Sequence, residues 1–197
     1  METADPKAVL LGLLRLGSGL PSPLDWTAEE EARWSRMKDS KRAAQYRAGR
    51  WLLRRLCALA TGREDSGLSL NADGAPRASG PAGVDLPHLS LSHSGDWVAA
   101  TACGLPAGVD LERLGARRDW ALLGRELGLN PPHDEASVLR AWTLREAGIK
   151  AGGTRGLRVW RFGTPDYCAC LLAPPDAKPE LKCFGDGVLD PPELRVE

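Results

Sequence analysis

The sequence predicts a fold that mixes β-strands with α-helices. Short segments that alternate apolar and polar residues, as strands with one buried face do, lie at residues 89–92 and 108–112. By contrast, residues 40–60 place their apolar side chains at helical spacing, and Gly62 follows where a helix can end. At 197 residues the chain is long enough to bury a core, as one domain or as two small ones.

The other elements are predicted in order along the chain. Residues 9–16 have the composition of a buried strand, and Thr27 with Glu30 three residues later has the pattern of a capping box at a helix start. Asp134 is placed to cap the helix that contains residues 141–151. The remaining predictions are strands at 68–71, 97–103, 157–162 and 167–172, a helix at 119–127, a turn at 72–76 and a loop at 79–87.

An interruption at residues 104–106 (Gly-Leu-Pro) is the best candidate for an internal boundary. It divides the chain into residues 1–104 and 105–197. From residue 173 the sequence is rich in proline, and from Asp176 onward it carries six acidic against three basic residues. We therefore expect a loose acidic tail at the end of the second half.

Composition limits the possible partners and the compartment. Lys plus Arg equals Asp plus Glu, at 26 each, so net charge gives no reason to expect nucleic-acid binding. The run from Arg33 to Arg63 nevertheless holds ten basic residues and one acid, Asp39, which fits either a solvated helix face or an anion-binding surface.

The five cysteines form no CxxC pair and indicate a reduced, cytoplasmic protein. The apolar run at residues 8–14 is too short to cross a membrane and lacks a signal-peptide pattern, so we expect no membrane association.

Two segments carry residues suited to chemistry. In the strand at residues 108–112 (GVDLE), Asp110 and Glu112 project from one face because side chains alternate with a period of two. In the segment 142–150 (WTLREAGIK), Glu146 and Lys150 lie one helical turn apart. Three carboxylates and a lysine can therefore converge on one point, an arrangement that suits a hard divalent cation with phosphate ligands.

Each of these features also has an ordinary structural explanation. Strand acids such as Asp110 and Glu112 are often only solvated, and Glu146 with Lys150 is a common pair on helix surfaces. His93 at the end of a strand is most often a loop residue without a special role. Their order and spacing within about sixty residues decide between the two interpretations.

Taken together, the three motifs resemble those of the 4′-phosphopantetheinyl transferase superfamily, of the longer type typified by the surfactin-synthetase activator. The resemblance extends over roughly residues 30–160. It rests on residues 92–97 (SHSGDW) for a serine–histidine element, 108–112 for a G-(I/V)-D-hydrophobic-E element, and 142–150 for a W-x-x-(K/R)-E-(A/S)-x-x-K element.

The resemblance implies an α+β fold in which two similar α+β halves pack side by side around a cleft that holds the active site. The implied reaction moves the 4′-phosphopantetheine arm of coenzyme A to a serine of an apo acyl or peptidyl carrier protein, and adenosine 3′,5′-bisphosphate is released. It further implies a monomer with a pseudo-dimer architecture.

Mapped by motif, Asp110, Glu112 and Glu146 would bind Mg²⁺, for which Mn²⁺ can substitute. Asp110 and Glu146 would also be catalytic, with Glu146 deprotonating the carrier serine directly or through a metal-bound water. Lys150, the third catalytic residue, would neutralise charge on the phosphate or the leaving group. Ser92 and His93 would contact a coenzyme A phosphate.

This sequence departs from the family in its phosphate-binding residues. The family often has Gly-Lys-Pro or Gly-Arg-Pro where residues 74–76 read Gly-Ala-Pro, so the missing cation is expected to come from Arg77. Gln45 stands where the family often has an arginine, and Arg42 or Lys41 can take its place. Arg42 and Arg77 thus complete the predicted coenzyme A site.

Two other functions are compatible with the same residues. The first is another Mg²⁺-dependent enzyme, such as a phosphodiesterase, that uses the same acids. The second is a non-catalytic module that keeps the fold and binds coenzyme A or a carrier protein. The complete set of three carboxylates and a lysine favours the transferase over the binding module.

Overall fold

The computed structural model describes residues 8–17, 26–63, 67–70, 74–80, 85–184 and 192–197. These residues form an α+β fold, which confirms the predicted class. The elements are β1 (Ala8–Arg15), α1 (Ala28–Ser35), α2 (Ser40–Thr61), β2 (Gly67–Leu70), β3 (Pro76–Ser79), β4 (His88–Ser94), β5 (Trp97–Cys103), β6 (Gly108–Arg113), α3 (Trp120–Glu126), α4 (Glu135–Lys150), β7 (Arg158–Thr164), β8 (Tyr167–Ala173), β9 (Lys178–Phe184) and β10 (Arg195–Val196).

The strands form two four-stranded sheets and one hairpin. The first sheet has the order β4-β5-β1-β9 and the second the order β10-β7-β8-β6, while β2 pairs with β3. All these pairs are antiparallel except β1 with β9, which is parallel. Helix α2 packs on the first sheet and α4 packs on β6 and β8 of the second.

The alternation of side chains along each strand assigns them to three apolar clusters. Odd-numbered residues of β1, such as Leu11, pack with Val109, Leu111 and Leu171 in a core shared by both sheets. Leu10 and Leu14 point to the opposite face of β1 and pack against α2, which explains why β1 is apolar throughout. A third cluster, built around Ala147, lies between α4 and the second sheet. The layers are therefore helix, sheet, sheet and helix.

The helix boundaries follow the sequence signals closely. Thr27 and Glu30 form the predicted capping box at α1, and Asp134 caps α4 by accepting a hydrogen bond from the Ser137 amide. Helix α2 ends at Gly62, whose φ of +67° is the left-handed conformation that glycine adopts without strain. None of the helices in the described ranges combines the length and apolar character that a membrane span requires.

The expectation of a loose tail is wrong for the part of the tail that the structure describes. Residues 178–184 form β9, which pairs with β1 in the register Leu11 to Leu181, and Arg195 of β10 pairs with Arg161 of β7. Partly buried side chains such as Leu181 pack against the core between the sheets. Local composition could not predict this strand because its pairing partner lies near the start of the chain.

Smaller differences concern the segment before β4. Residues 76–79 form β3, although the sequence predicted a turn up to residue 76 and a loop from residue 79. Residues 71–73 and 81–84, on which parts of those predictions fall, lie outside the described residues. The first sheet contains β9, whose residues 178–184 belong to the second predicted half. The division of the chain at residue 104 stays a prediction.

A buried ion cluster anchors α1 to α2. Glu30 is 2% exposed and its carboxylate lies against the guanidinium groups of Arg50 and Arg54. Burial alone would raise the pKa of Glu30, but hydrogen bonds from Arg54 and Thr27 and the charge of Arg50 bring it below its ordinary value of 4.5. The carboxylate therefore stabilises the fold at neutral pH, and this contribution is lost as the pH falls through that lowered pKa.

We expect Glu30→Gln to lower the free energy of unfolding by about 3 kcal/mol, because it leaves the buried guanidinium of Arg50 and the partly buried one of Arg54 without a counter-charge. Glu31→Gln, on the exposed side of the same helix turn, is the control and should change stability by less than about 0.5 kcal/mol. Urea unfolding measures both. Equal stability of the two variants would contradict a structural role for the cluster.

Candidate active site

Asp110 is the most buried acid of the predicted site. Its side chain projects from β6 towards α4, and Oδ1 accepts hydrogen bonds from Lys150 Nζ at 2.6 Å and Ser92 Oγ at 2.8 Å. Oδ2 is buried and has no hydrogen-bond partner in the described part of the chain. Burial is the largest influence on the pKa of Asp110 and raises it, while Lys150 and Ser92 oppose the shift.

The close contact between α4 and β6 brings Lys150 to Asp110. Gly108 at the start of β6 faces the backbone of α4, and a β-carbon on it would lie 2.0 Å from the Ala147 carbonyl oxygen. Lys150 Nζ also donates a hydrogen bond to the Val109 carbonyl at 3.2 Å. Lys150 is thus held at the strand by two acceptors while its side chain is 27% exposed.

Glu112 lies on the same face of β6, two residues after Asp110, as predicted from the strand alternation. Its Oε2 accepts hydrogen bonds from Ser94 Oγ and from Arg118 Nη2, both at 2.8 Å. The side chain is 17% exposed. Glu112 therefore has a positive partner of its own, which the sequence did not reveal.

Glu146 is half-buried on α4, and its side chain makes no hydrogen bond or ion pair with another described residue. The structure therefore brings Asp110, Glu112 and Lys150 together, whereas no hydrogen bond or ion pair joins the Glu146 side chain to them. In the described ranges, no three His, Cys, Asp or Glu side chains form a group that could hold a metal ion. Lys150 and Arg118 instead provide the positive charge next to the strand carboxylates.

The donor chemistry nonetheless fits a hard cation. Asp110 Oδ2 is an oxygen of a buried acid without a partner, and a carboxylate oxygen in that state is a ligand that Mg²⁺ accepts. Glu112 and Glu146 add oxygen donors on the neighbouring strand and helix positions.

His93 is half-buried on β4 among charged residues of both halves of the chain. Burial is the main cause that lowers the pKa of His93 below 6.5, and the positive charge of Arg42 is the next. Lys150 acts in the same direction, while Glu112 opposes it. The imidazole is therefore neutral at pH 7 in a positive environment, and a bound anion would favour its protonation.

We expect Arg42→Ala to raise the pKa of His93 towards its ordinary value, because one of the positive charges that oppose protonation is removed. An NMR titration of the His93 ring measures the change. Arg47→Ala, another exposed arginine of α2, is the control and should leave the pKa of His93 where it is. An unchanged His93 pKa in Arg42→Ala would show that Arg42 lies too far away to act.

Three alternate serines of β4 form a feature that sequence reasoning missed. Their hydroxyl oxygens accept hydrogen bonds from alternate amides of β6 at distances of 3.0, 3.2 and 3.0 Å. The pairs are Ser90 with Val109, Ser92 with Leu111, and Ser94 with Arg113. The alternation was visible, but it only indicated a strand, because nothing local identifies β6 as the partner.

The residues expected to contact phosphate occupy different environments. Gln45 Nε2 donates to the Gly95 carbonyl at 2.9 Å, and Lys41 forms an ion pair with Asp96, so both tie α2 to the turn between β4 and β5. Arg77 is exposed on β3.

Arg33, the first residue of the basic run, is a cation whose position near residues 74–76 (Gly-Ala-Pro) was not predicted. Its Nη1 lies 3.7 Å from the position of a β-carbon on Gly74. Ser92 is 7% exposed, and its hydroxyl is bonded to Asp110 and to the Leu111 amide.

The fold and the site describe an α+β protein with two strand carboxylates, a lysine and a histidine at the meeting of two sheets. No family model matches the chain. Over 75 residues it is 33% identical to 4′-phosphopantetheinyl transferase psf-1 of Bacillus pumilus, a match that covers 34% of this chain and 32% of that protein. The chain thus spans about a third of the length of this relative.

Proposed function

We propose that the protein transfers the 4′-phosphopantetheine arm of coenzyme A to a serine of an apo acyl or peptidyl carrier protein. The observation that carries the proposal is the Asp110–Lys150 pair, in which a buried acid with one unpartnered oxygen lies 2.6 Å from an ammonium group. This pair provides a cation ligand and a positive charge at one point, which transfer of a phosphate group requires. The partial similarity to a phosphopantetheinyl transferase supports the same reaction.

In the proposed reaction the serine hydroxyl attacks the β-phosphorus of coenzyme A. The bond from that phosphorus to the bridging oxygen breaks, and its electron pair leaves with adenosine 3′,5′-bisphosphate. Glu146 accepts the serine proton, a role for which its lack of a partner in the described chain leaves it available. Lys150 offsets the negative charge that develops on the phosphate or the leaving group.

Asp110, Glu112 and Glu146 would hold Mg²⁺, or Mn²⁺ in its place. When bound, the cation supplies charge neutralisation and orientation of the diphosphate. The cation would bind the carboxylate oxygens that accept no hydrogen bond from a described residue, rather than those bonded to Lys150 and Arg118. His93, Ser92, Arg42, Arg77 and the newly found Arg33 are the candidates to bind coenzyme A phosphates.

The proposal also covers the architecture and setting of the enzyme. Each four-stranded sheet carries one long helix, α2 or α4, which supports two similar halves in one monomer. In this proposal the active site lies between the two halves, where β4 meets β6. A cytoplasmic location belongs to the same proposal.

The decisive experiment incubates a panel of apo carrier proteins with coenzyme A, Mg²⁺ and the protein, and follows each carrier by mass spectrometry. A gain of the phosphopantetheine mass on one serine supports the transferase. Cleavage of coenzyme A without a carrier would identify a phosphodiesterase instead. Binding of coenzyme A without any turnover would identify a binding module.

We expect Lys150→Ala to lower kcat roughly a hundredfold while the KM for coenzyme A changes little, because its charge acts mainly on the transition state. Lys182→Ala is the control, since it removes an exposed lysine from β9, at the edge of the first sheet opposite β4. Steady-state kinetics separate the two parameters. A raised KM with an unchanged kcat would reduce Lys150 to a ground-state phosphate anchor.

A further inference from the structure

The two sheets meet at their edges through serine side chains. Strand β4 is the edge of the first sheet and β6 the edge of the second. Ser90, Ser92 and Ser94 each accept a hydrogen bond from an amide of β6. Because edge amides would otherwise need water or another strand, the hydroxyls take the place of a backbone ladder between the sheets.

Two of these serines make a second hydrogen bond. Ser92 Oγ donates to Asp110 Oδ1 and Ser94 Oγ donates to Glu112 Oε2, both at 2.8 Å. A hydroxyl has a single proton, and in each case the same oxygen already accepts a backbone amide. The Leu111 carbonyl, at 3.5 Å, is a second and more distant acceptor for the Ser92 hydroxyl, so the shorter bond is the one to Asp110. Each serine thus links one carboxylate to the amide of the next residue.

The bonds divide the oxygens of both carboxylates in the same way. Asp110 Oδ1 collects the bonds from Lys150 and Ser92, while Oδ2 has no partner in the described chain. Glu112 Oε2 collects the bonds from Ser94 and Arg118, and no bond from a described residue reaches Oε1. In each carboxylate one oxygen accepts two hydrogen bonds and the other accepts none from a described residue.

We propose that Ser92 and Ser94 are positioning residues that saturate one oxygen of each strand carboxylate and so present the other to a divalent cation. The inference rests on the proposed function, because it assigns the cation to that site. A partner that orients a ligand typically changes metal affinity by about 10- to 100-fold when it is removed. Ser90 makes the same backbone bond without a carboxylate bond in the structure, so it provides the matched control.

The test measures the dissociation constant of Mn²⁺ by electron paramagnetic resonance, without and with coenzyme A. We expect Ser94→Ala to weaken Mn²⁺ binding about tenfold and Ser94→Thr, which keeps a hydroxyl, to restore it. Ser90→Ala should bind Mn²⁺ within about twofold of the wild type, although it leaves the buried Val109 amide without its hydrogen-bond acceptor and lowers stability.

Thermal unfolding checks that each variant is folded, and Ser94 is the safer position because it is only half-buried. Saturating Mg²⁺ should restore transfer in Ser94→Ala, a recovery that a purely structural defect would not show. The inference would be overturned if Ser94→Ala bound Mn²⁺ with wild-type affinity, or if Ser90→Ala lost as much Mn²⁺ affinity as Ser94→Ala. It would also be overturned if the wild type bound no Mn²⁺ either without or with coenzyme A. Mn²⁺ binding that follows the expected pattern without transfer to any carrier would refute the proposed function alone.

Discussion

Asp110→Asn should abolish transfer while the protein stays folded. The substitution keeps the size of the side chain and an acceptor for Ser92, but it removes the charge that attracts both a cation and Lys150. Loss of a charged group at this point should reduce kcat/KM about a thousandfold, which corresponds to about 4 kcal/mol. Mass spectrometry of the carrier protein measures the residual rate.

Asp110→Asn should remain as stable as the wild type although it loses activity. The pKa of Asp110 is raised mainly by burial, so its charged form is less favourable in the folded than in the unfolded protein. The charge therefore costs stability at neutral pH, a cost that disappears only as the pH falls below its ordinary pKa. We expect Asp110→Asn to melt at or above the wild-type temperature.

Asp166→Asn, at an exposed turn between β7 and β8, is the control for removing one acid from the second sheet. It should leave transfer unchanged. A folded Asp110→Asn protein that transfers the arm within about twofold of the wild-type rate would rule out the assigned role of Asp110.

Gly108→Ala should have the largest effect on stability, about 4 kcal/mol, because the new β-carbon would overlap backbone rather than a movable side chain. It would lie 2.0 Å from the Ala147 carbonyl oxygen and 2.8 Å from the Ala151 nitrogen. Helix α4 and β6 must then separate. That movement displaces Lys150 from Asp110, so residual folded protein should also lose activity.

The control is Gly49→Ala in α2. There the new β-carbon would meet the ends of Leu91, at 2.9 Å, and these can rotate away. The gain in helix propensity of about 1 kcal/mol should offset that strain. Urea unfolding compares the two variants. Similar stability of both would mean that α4 packs less closely on β6 than the structure indicates. Because the clash is with backbone atoms, Ala147→Gly should not restore the stability of Gly108→Ala.

Much of the fold and part of the site could be predicted because their signals are local. The period of two places Asp110 and Glu112 on one face of β6, and caps such as Thr27 and Asp134 mark the helix starts correctly. The meeting of Lys150 with Asp110 was also expected from motif spacing, and the structure brings the two together.

The features that could not be predicted depend on contacts between distant segments. The serine hydroxyls on the amides of β6 require knowledge of which strands become neighbours. Glu146 shows the opposite case, since its helical row was predicted but no hydrogen bond or ion pair joins its side chain to the strand acids in the described residues. Helix periodicity predicts the side of the helix from which a side chain projects, but it does not predict the distance from that side chain to a neighbouring strand.

The parallel pairing of β1 with β9 has a consequence for how the molecule assembles during synthesis. Strand β1 lies between β5 and β9, and its register joins Leu11 to Leu181. A ribosome must therefore have delivered residues 178–184 before this pairing can form, which places completion of the first sheet long after the synthesis of β1. Until then one side of an apolar strand stays open to pairing with other chains, so a nascent protein stalled before residue 178 is the form most exposed to aggregation.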